Sequence, residues 1–352
     1  MRSGVLIMAT GLIVACASLA GGASADEIAD FYRGKQVTIT VGYTAGGGYD
    51  AYARVIARHM GRHIPGNPII VLQNMPGAGS RVAANWLYNL APKDGTAIGT
   101  VGQNTPMDQA LGEENIRFDV AKFNWIGNSV IDNNVTMSWA GSGFDTIADV
   151  MGGGLICGGT GAASPTAIYP QIINNLLGAK IKIIAGYPGG GDVGLALLRG
   201  EVNCRGSNSW SSMKATMGDL IDQKKIVVLV EWGLKSDPAI AKYQGRPVPL
   251  IGDLAKTEID RKALEMIVAG AQIGRPFLAP PGVPQDRVEA LRRAFDATMK
   301  DPLFLEDTAK QKMDIDPVSG AELQKLAAEV VALPESVIKR ARQLVDPRDI
   351  RE

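Results

Sequence analysis

The chain has 352 residues, 36 Lys+Arg against 36 Asp+Glu, two His and three Cys, which exceeds one small domain and fits two lobes or one large α/β unit. An apolar content of 46% excludes a disordered chain. Balanced charge without a basic run excludes the clustered positive footprint of a nucleic-acid binder, and so few His and Cys leave little material for a metal site or a His-based triad.

Residues 1–25 read MRSGVLIMATGLIVACASLAGGASA. Arg2, an apolar stretch from Gly4 to Ala20 and the ending Ala23-Ser24-Ala25 form the pattern of a secretory signal, with cleavage before Asp26. Two alternatives stand beside it. One is a membrane anchor, against which the short apolar stretch and the lack of stop-transfer charges count. The other is a loose lipoprotein box, Ile13-Val14-Ala15-Cys16, with Cys16 lipidated. An exported chain works outside the cytoplasm, most simply in the periplasm. Removing the leader takes away Cys16 and leaves the pair Cys157 and Cys204. In an oxidising compartment such a pair suggests a disulfide closing a loop of roughly 48 residues; two buried free thiols are the alternative.

Strands and helices alternate along the chain. Gln36–Gly42 is β-branched and alternating, hence a strand. The glycine-rich Thr44–Gly48 follows, then a helix over Tyr49–Gly61 with Tyr52, Val55, Ile56 and Met60 at helical spacing. Pro68–Gln73 predicts a strand, Pro76–Ser80 a glycine-rich turn, Arg81–Leu90 a helix and Ala97–Val101 a strand. The pattern restarts with strand Leu155–Cys157, helix Thr166–Leu177, strand Ile181–Gly186, helix Val193–Gly200, strand Val202–Arg205 and strand Ile226–Glu231. FLAPPGVP, from Phe277, punctuates the chain before helices at Asp286–Lys300, Pro302–Lys312 and Gly320–Val331. Strand, glycine loop and helix in repetition predict α/β lobes, each a mainly parallel sheet flanked by helices. The expected division is 26–128 with 275–352 as one lobe and 129–274 as the other, joined by two connecting segments and therefore hinged.

Glycine, 42 residues or about 12% against roughly 7% in average usage, is the one compositional departure. Its placement defines four turns, Thr44–Asp50, Pro76–Ser80, Gly158–Thr166 and Pro188–Asp192, each between a strand end and a helix start. Free N–H groups and the helix dipole make such a turn an anion cradle. No P-loop motif is present, Gly46-Gly47-Gly48 does not fit G-x-G-x-x-G, and the loops lack Lys and Arg apart from Arg81. A small carboxylate held by backbone N–H groups and hydroxyls fits better than a nucleotide.

VGYTAGGGYDAYAR (Val41–Arg54) resembles the V-P-F-x-P-G-G-x-x-D-x-x-A-R opening of tripartite tricarboxylate transporter substrate-binding proteins, the Bug-type receptors. NMPGAGS (Asn74–Ser80), APKDGT (Ala91–Thr96), GGTGAASPT (Gly158–Thr166) and YPGGGDVGLALLRGEVN (Tyr187–Asn203) follow in the family's order, and FLAPPGVPQDRVEALRRAF resembles its return into the first lobe. The resemblance covers essentially the whole mature chain. It implies a two-lobe periplasmic-binding-protein clamshell of type II-like form. It also implies a monomeric receptor without catalysis or cofactor, which captures a small organic acid and delivers it to the membrane permease subunits of a tripartite tricarboxylate transporter. A periplasmic sensing subunit is the alternative, because it needs the same cleft. Carried over residue by residue, and read with the loops, it places candidate ligand contacts at Tyr43, Thr44, Gly46, Gly47, Gly48, Tyr49 and Asp50 in the first turn and at Gly77, Ala78, Gly79, Gln103 and Asn104 beyond it. In the other lobe the candidates are Thr160, Gly161, Ser164, Thr166, Tyr187, Gly189, Gly190, Asp192 and Asn208. Gly42 and Ala45 stand where the family has prolines, Gly48 and Tyr49 where a Ser-Thr pair is common, Asn203 for a usual Asp and Ala167 for a common His. The expectation is that Tyr43, Tyr49 or Tyr187 packs on the carbon skeleton of the acid.

Other chemical readings are weaker. His59 and His63 share a helix face at i, i+4, the spacing of half a metal site, but Arg58 and Arg62 beside them repel a cation. Basic residues at a helix C-terminus account for them. Ser207–Ser212 lacks the G-x-S-x-G elbow and a His to serve it. Trp125, Trp139, Trp210 and Trp232 read as core or cleft wall. Asp192 is equally suited to cap the helix at Val193.

Overall fold

The computed structural model describes residues 27–346, so the export signal, the Cys16 alternative and cleavage before Asp26 lie outside the described residues. Two sheets carry the fold. The first runs β11-β4-β10-β3-β1-β2, with β1 at Gln36–Val41, β2 at Ile69–Asn74, β3 at Ala97–Thr100, β4 at Asn124–Asn128, β10 at Pro276–Ala279 and β11 at Val318–Ser319. The second runs β7-β6-β8-β5-β9, with β5 at Asn134–Trp139, β6 at Ile156–Gly159, β7 at Lys182–Ala185, β8 at Cys204–Ser209 and β9 at Ile226–Trp232.

Those strands that feed glycine turns pair in parallel: β1 with β2 and β3, and β6 with β7 and β8. The remainder of each sheet is antiparallel, β10 lying between β3 and β4 and β5 between β8 and β9. Each sheet is therefore mixed where sequence predicted it mainly parallel. The reason is the chain's double crossing between lobes: β4 leads directly into β5, and the return enters as β10, against the direction of β3. Phe277–Ala279, expected as the start of a proline-rich break, belongs to the fully buried strand Pro276–Ala279; Pro276 opens it, where a missing N–H is tolerated.

Alternation explains β1, whose Val37, Ile39 and Val41 are buried with Val55 and Ile56 from helix Gly48–Met60. Strand β9, buried on both faces, reads instead as a continuous run, IVVLVEW. Trp232 at its end stacks on Tyr169, ring centroids 3.9 Å apart. Trp125, Trp210 and Trp232 are core residues, and Trp139 packs half-buried against the cluster that holds Trp210.

Helices Gln285–Thr298 and Gly320–Val331 pack on the first sheet through Leu291, Phe295, Leu323 and Ala327, and helix Pro302–Lys310 packs on helix Gly48–Met60, where Phe304 meets the His59 ring. The last helix, Glu335–Val345, departs from the expected grouping of 275–352. Its apolar stripe of Val337, Ile338, Ala341 and Leu344 joins the second lobe's core with Ile168, Ile172, Leu264 and Ile267. Arg340 binds Asp260 at 2.7 Å, and Arg342 Nε donates to the Leu111 carbonyl at 2.8 Å, so this helix also touches the first lobe.

Cys157 and Cys204 lie opposite each other on β6 and β8 and are joined by a disulfide, with Cα atoms 4.2 Å apart at a sequence separation of 47.

Candidate functional site

The glycine turns of the two sheets meet face to face. Gly47 lies against Gly190, and a Cβ there would sit 3.4 Å from the Gly190 nitrogen. On the other side of the cleft Gly79 faces Ser164, and a Cβ on Gly161 would come within 2.7 Å of the Gly79 nitrogen. Backbone packs on backbone here because no side chain intervenes. Two side-chain bonds cross the same seam: Thr44 Oγ1 donates to Asp192 Oδ2 at 2.7 Å, and Asn104 Nδ2 donates to the Ala163 carbonyl at 2.9 Å.

A cavity of about 60 Å3 lies between these contacts. Of the candidates, Tyr43, Gly47, Gly48, Tyr49, Gln103, Thr160, Thr166, Gly190 and Asn208 line it. Gly46, Gly190 and Asp192 border an outer crevice of about 740 Å3, and Gly77, Ala78, Thr160, Gly161 and Tyr187 border another of about 500 Å3 on the opposite side. The remaining candidates serve the frame. Asp50 binds Arg54 at 2.7 Å, Asn74 at 3.0 Å and the Gly46 N–H at 3.0 Å. Burial would raise its pKa, but these bonds outweigh it and hold the carboxyl below its ordinary value. Ser164 Oγ bonds Thr160 and the Gly161 carbonyl, both at 3.0 Å. Gly189 faces Thr44, where a Cβ would collide. Asp192 is not the cap of its helix; Gly189 holds that position and Asp192 reaches Thr44 instead.

Tyr43 and Tyr49 stack, ring centroids 4.6 Å apart. The Tyr49 hydroxyl accepts from the Gln103 N–H at 2.9 Å, and burial raises both phenol pKa values. Tyr187 stands outside this cavity, so of the three expected aromatic walls two face it.

Two arginines that sequence reasoning did not select also face the cavity, together with Asn134, Ser207 and Ser209. Arg205 lies within β8 and Arg275 immediately precedes β10; they are 6% and 4% exposed. Arg275 is held by Ser212 Oγ at 2.6 Å and Gln103 Oε1 at 3.3 Å, and its guanidinium sits 4.4 Å from the Tyr49 ring centre. Arg205 Nε donates to the Ser207 carbonyl at 3.2 Å. Among the described residues neither has a carboxylate partner within 4.0 Å. Gln103 Nε2, Asn134 Nδ2, Asn208 Nδ2 and Arg275 Nε, all on residues lining the cavity, are buried donors without a protein acceptor. The detectable signal was a charge inside a buried strand pattern, since such a charge needs a partner.

Asp108 lies behind the cavity, bonded to Asn104 at 2.9 Å and to Arg81 at 3.3 Å. Burial pushes its carboxyl up to about 7, against the pull of Arg81. The folded chain thus keeps a proton that the unfolded chain releases near pH 4, and this contribution to stability is full below about pH 4 and lost as pH rises to about 7. Asp108→Asn should flatten the curve of melting temperature against pH across that interval; an unchanged slope would assign the effect to other groups.

The chain matches the family described as Tripartite tricarboxylate transporter family receptor over residues 52–343. It belongs to this family. A Cupriavidus necator relative, named UPF0065 protein in gbd 5'region, is 25% identical over 95% of this chain and 96% of its own. The periplasmic binding protein BugD aligns with a TM-score of 0.71 at 19% identity, covering 90% of this chain and 99% of BugD. MatC from Rhodopseudomonas palustris, solved with bound malate, aligns with a TM-score of 0.67 at 18% identity, over 89% of this chain and 99% of MatC. These likenesses establish the two-lobe binding-protein fold, and the family establishes a solute receptor rather than an enzyme. The other chemical readings resolve accordingly. His59 and His63 bind separate aspartates, Asp307 at 2.9 Å and Asp301 at 2.7 Å, and Ser211 donates to Asp132 at 2.7 Å. No described helix is long and apolar enough to cross a membrane.

Proposed function

We propose that this family member works in the periplasm, captures a small organic carboxylate between its lobes and delivers it to a tripartite tricarboxylate-type permease. The observation carrying this reading is the surplus of donors around the cavity: Gln103, Asn134 and Asn208 amides and the Arg275 Nε–H point to an acceptor-rich guest. Charge-assisted bonds of this kind contribute about 1.5–3 kcal/mol each, so a few orient an acid. The malate held by MatC supports the same class of guest, and the leader at residues 1–25 supports export. Closure follows from contacts made by both lobes at once, and the permease would recognise the closed form.

A thermal-shift screen of the mature chain against small acids tests this. At a hundredfold excess over Kd a binder raises stability by about 2.7 kcal/mol. A shift with carboxylates is expected; stabilisation by nucleotides alone would overturn the reading.

A further inference from the structure

We propose that Met217 is a redox-sensitive modification site: a peroxide converts its thioether to the sulfoxide, and the new oxygen takes hold of Arg205 and draws that guanidinium away from the guest. The modification goes beyond the carboxylate reading above, and its consequence for binding rests on that reading.

Arg205 is a buried cation served by weak acceptors. Its Nε donates to the Ser207 carbonyl at 3.2 Å, and its Nη1 points at the Met217 sulfur, 3.8 Å away. A thioether is a poor acceptor for a charged donor. Burial, with Arg275 nearby, pulls Arg205 down to about 10, which leaves it charged at neutral pH. The guanidinium borders both the inner cavity of about 60 Å3 and the outer crevice of about 740 Å3, while Met217 borders the crevice alone. An oxidant in the crevice therefore reaches the sulfur without passing through the guest's cavity, and the crevice has room for one more oxygen. Among the described residues Met217, at 8%, is the most exposed of the buried methionines; Met137 and Met213, in the same core cluster, are at 0%.

The step balances with hydrogen peroxide as the oxidant. A sulfur lone pair attacks one peroxide oxygen, the O–O bond breaks, an S–O bond forms and water leaves; sulfur gives up two electrons and the peroxide takes them. The product is polar where the thioether was apolar, and its oxygen is a strong acceptor. A bond from Nη1 to it is charge-assisted, about twice as strong as a neutral one. Arg205 is then engaged from the crevice side, and a carboxylate in the cavity loses its share of that charge. Methionine sulfoxide reductases reverse the change.

Dilute hydrogen peroxide on the mature chain, followed by peptide mapping and by titration calorimetry with malate as the probe, tests this. Mapping should find Met217 modified ahead of Met137 and Met213; an intact Met217 beside modified Met137 and Met213 overturns the site. Losing one charge-assisted bond should weaken malate binding by about tenfold or more. Treatment with methionine sulfoxide reductases should restore it. Met217→Leu should bind malate equally before and after peroxide, even with the exposed Met151 oxidised. An equal loss in Met217→Leu assigns the effect to another methionine and overturns the proposal. A guest-free arm reads the contact itself. Peroxide should lower the melting temperature of Arg205→Leu more than that of the wild-type chain, because the sulfoxide there lacks its donor. Equal decrements overturn the contact. An untreated chain that binds neither malate nor any other small acid removes the carboxylate reading, and the guest-free arm then still decides whether the sulfoxide engages Arg205.

Discussion

Valine at position 161 should weaken binding of a stabilising carboxylate by about tenfold or more while both lobes stay folded. Gly161 belongs to the second lobe, and its Cβ would point at first-lobe backbone: 2.7 Å from the Gly79 nitrogen and 3.3 Å from the Ala78 carbonyl carbon. Neither atom can yield as a flexible side chain could. The loop is fixed from behind, because Ser164 gives both its N–H and its hydroxyl to the Gly161 carbonyl at 3.0 Å. An added side chain is therefore accommodated when the lobes are apart and collides when they close, which shifts the population towards the open form. Backbone strain accompanies the collision, since Gly161 has φ of 154°. Gly186→Ala separates the two effects: that glycine has φ of 112° in the same lobe but nothing within 4 Å of its Cβ. It should lower the melting temperature of the guest-free chain through strain, at a cost of about 1 kcal/mol, and leave affinity nearly unchanged. Calorimetry on both variants checks the pair of outcomes. Full affinity in Gly161→Val would mean that the two turns do not meet in the liganded form.

Periodicity made the parallel half of each sheet legible. β1, β2, β3, β6 and β7 are short apolar or β-branched runs next to glycine turns, and sequence placed them within a few residues; β8, CRGSNS, overlaps its expected strand only at Cys204 and Arg205, and β9 was legible as an apolar run although it pairs antiparallel. The antiparallel half was not legible for local reasons. NWIGN of β4 has polar ends, PFLA of β10 begins with proline, and both are buried by long-range pairing rather than by their own pattern. Site legibility divides the same way. Gly47, Gly48 and Gly190 announced themselves because glycine clusters have a backbone meaning. Arg205 and Arg275 sit outside those clusters and 70 positions apart in the chain, and only the sheet order brings them to one cavity. The carboxylate expectation therefore stood on backbone amides alone, while two guanidiniums dominate the local charge. Asp50 shows the converse. Its place in the motif marked it for the ligand, yet Arg54, Asn74 and Gly46 N–H consume both its oxygens in building the first turn.

Replacing Cys157 and Cys204 together by alanine should lower the melting temperature of the mature chain by roughly 5–10 °C and also loosen the site. The bond links positions 47 apart in sequence, which in the chain-entropy model restricts the unfolded state by up to about 4 kcal/mol. For a chain of this size each kcal/mol moves the midpoint by a few degrees. Position gives the bond its second consequence. Cys157 precedes the turn carrying Thr160 and Thr166, and Cys204 is followed directly by Arg205, so one covalent link sets the spacing between the hydroxyl loop and the guanidinium. Both sulfurs are buried at 0% exposure, so reductant reaches the bond only after unfolding, and the native chain should hold it for as long as it stays folded. Alanine at both positions keeps the packing apolar but also removes two buried sulfurs, so a double Cys→Ser variant, which keeps the side-chain volume closer, serves as the comparison. Thermal denaturation with and without a stabilising carboxylate measures both consequences: a lower midpoint in the absence of the acid, and a smaller increment on adding it. A midpoint equal to that of the wild-type chain would show that β6 and β8 hold their register through backbone hydrogen bonds unaided, and a full increment would detach the link from the site.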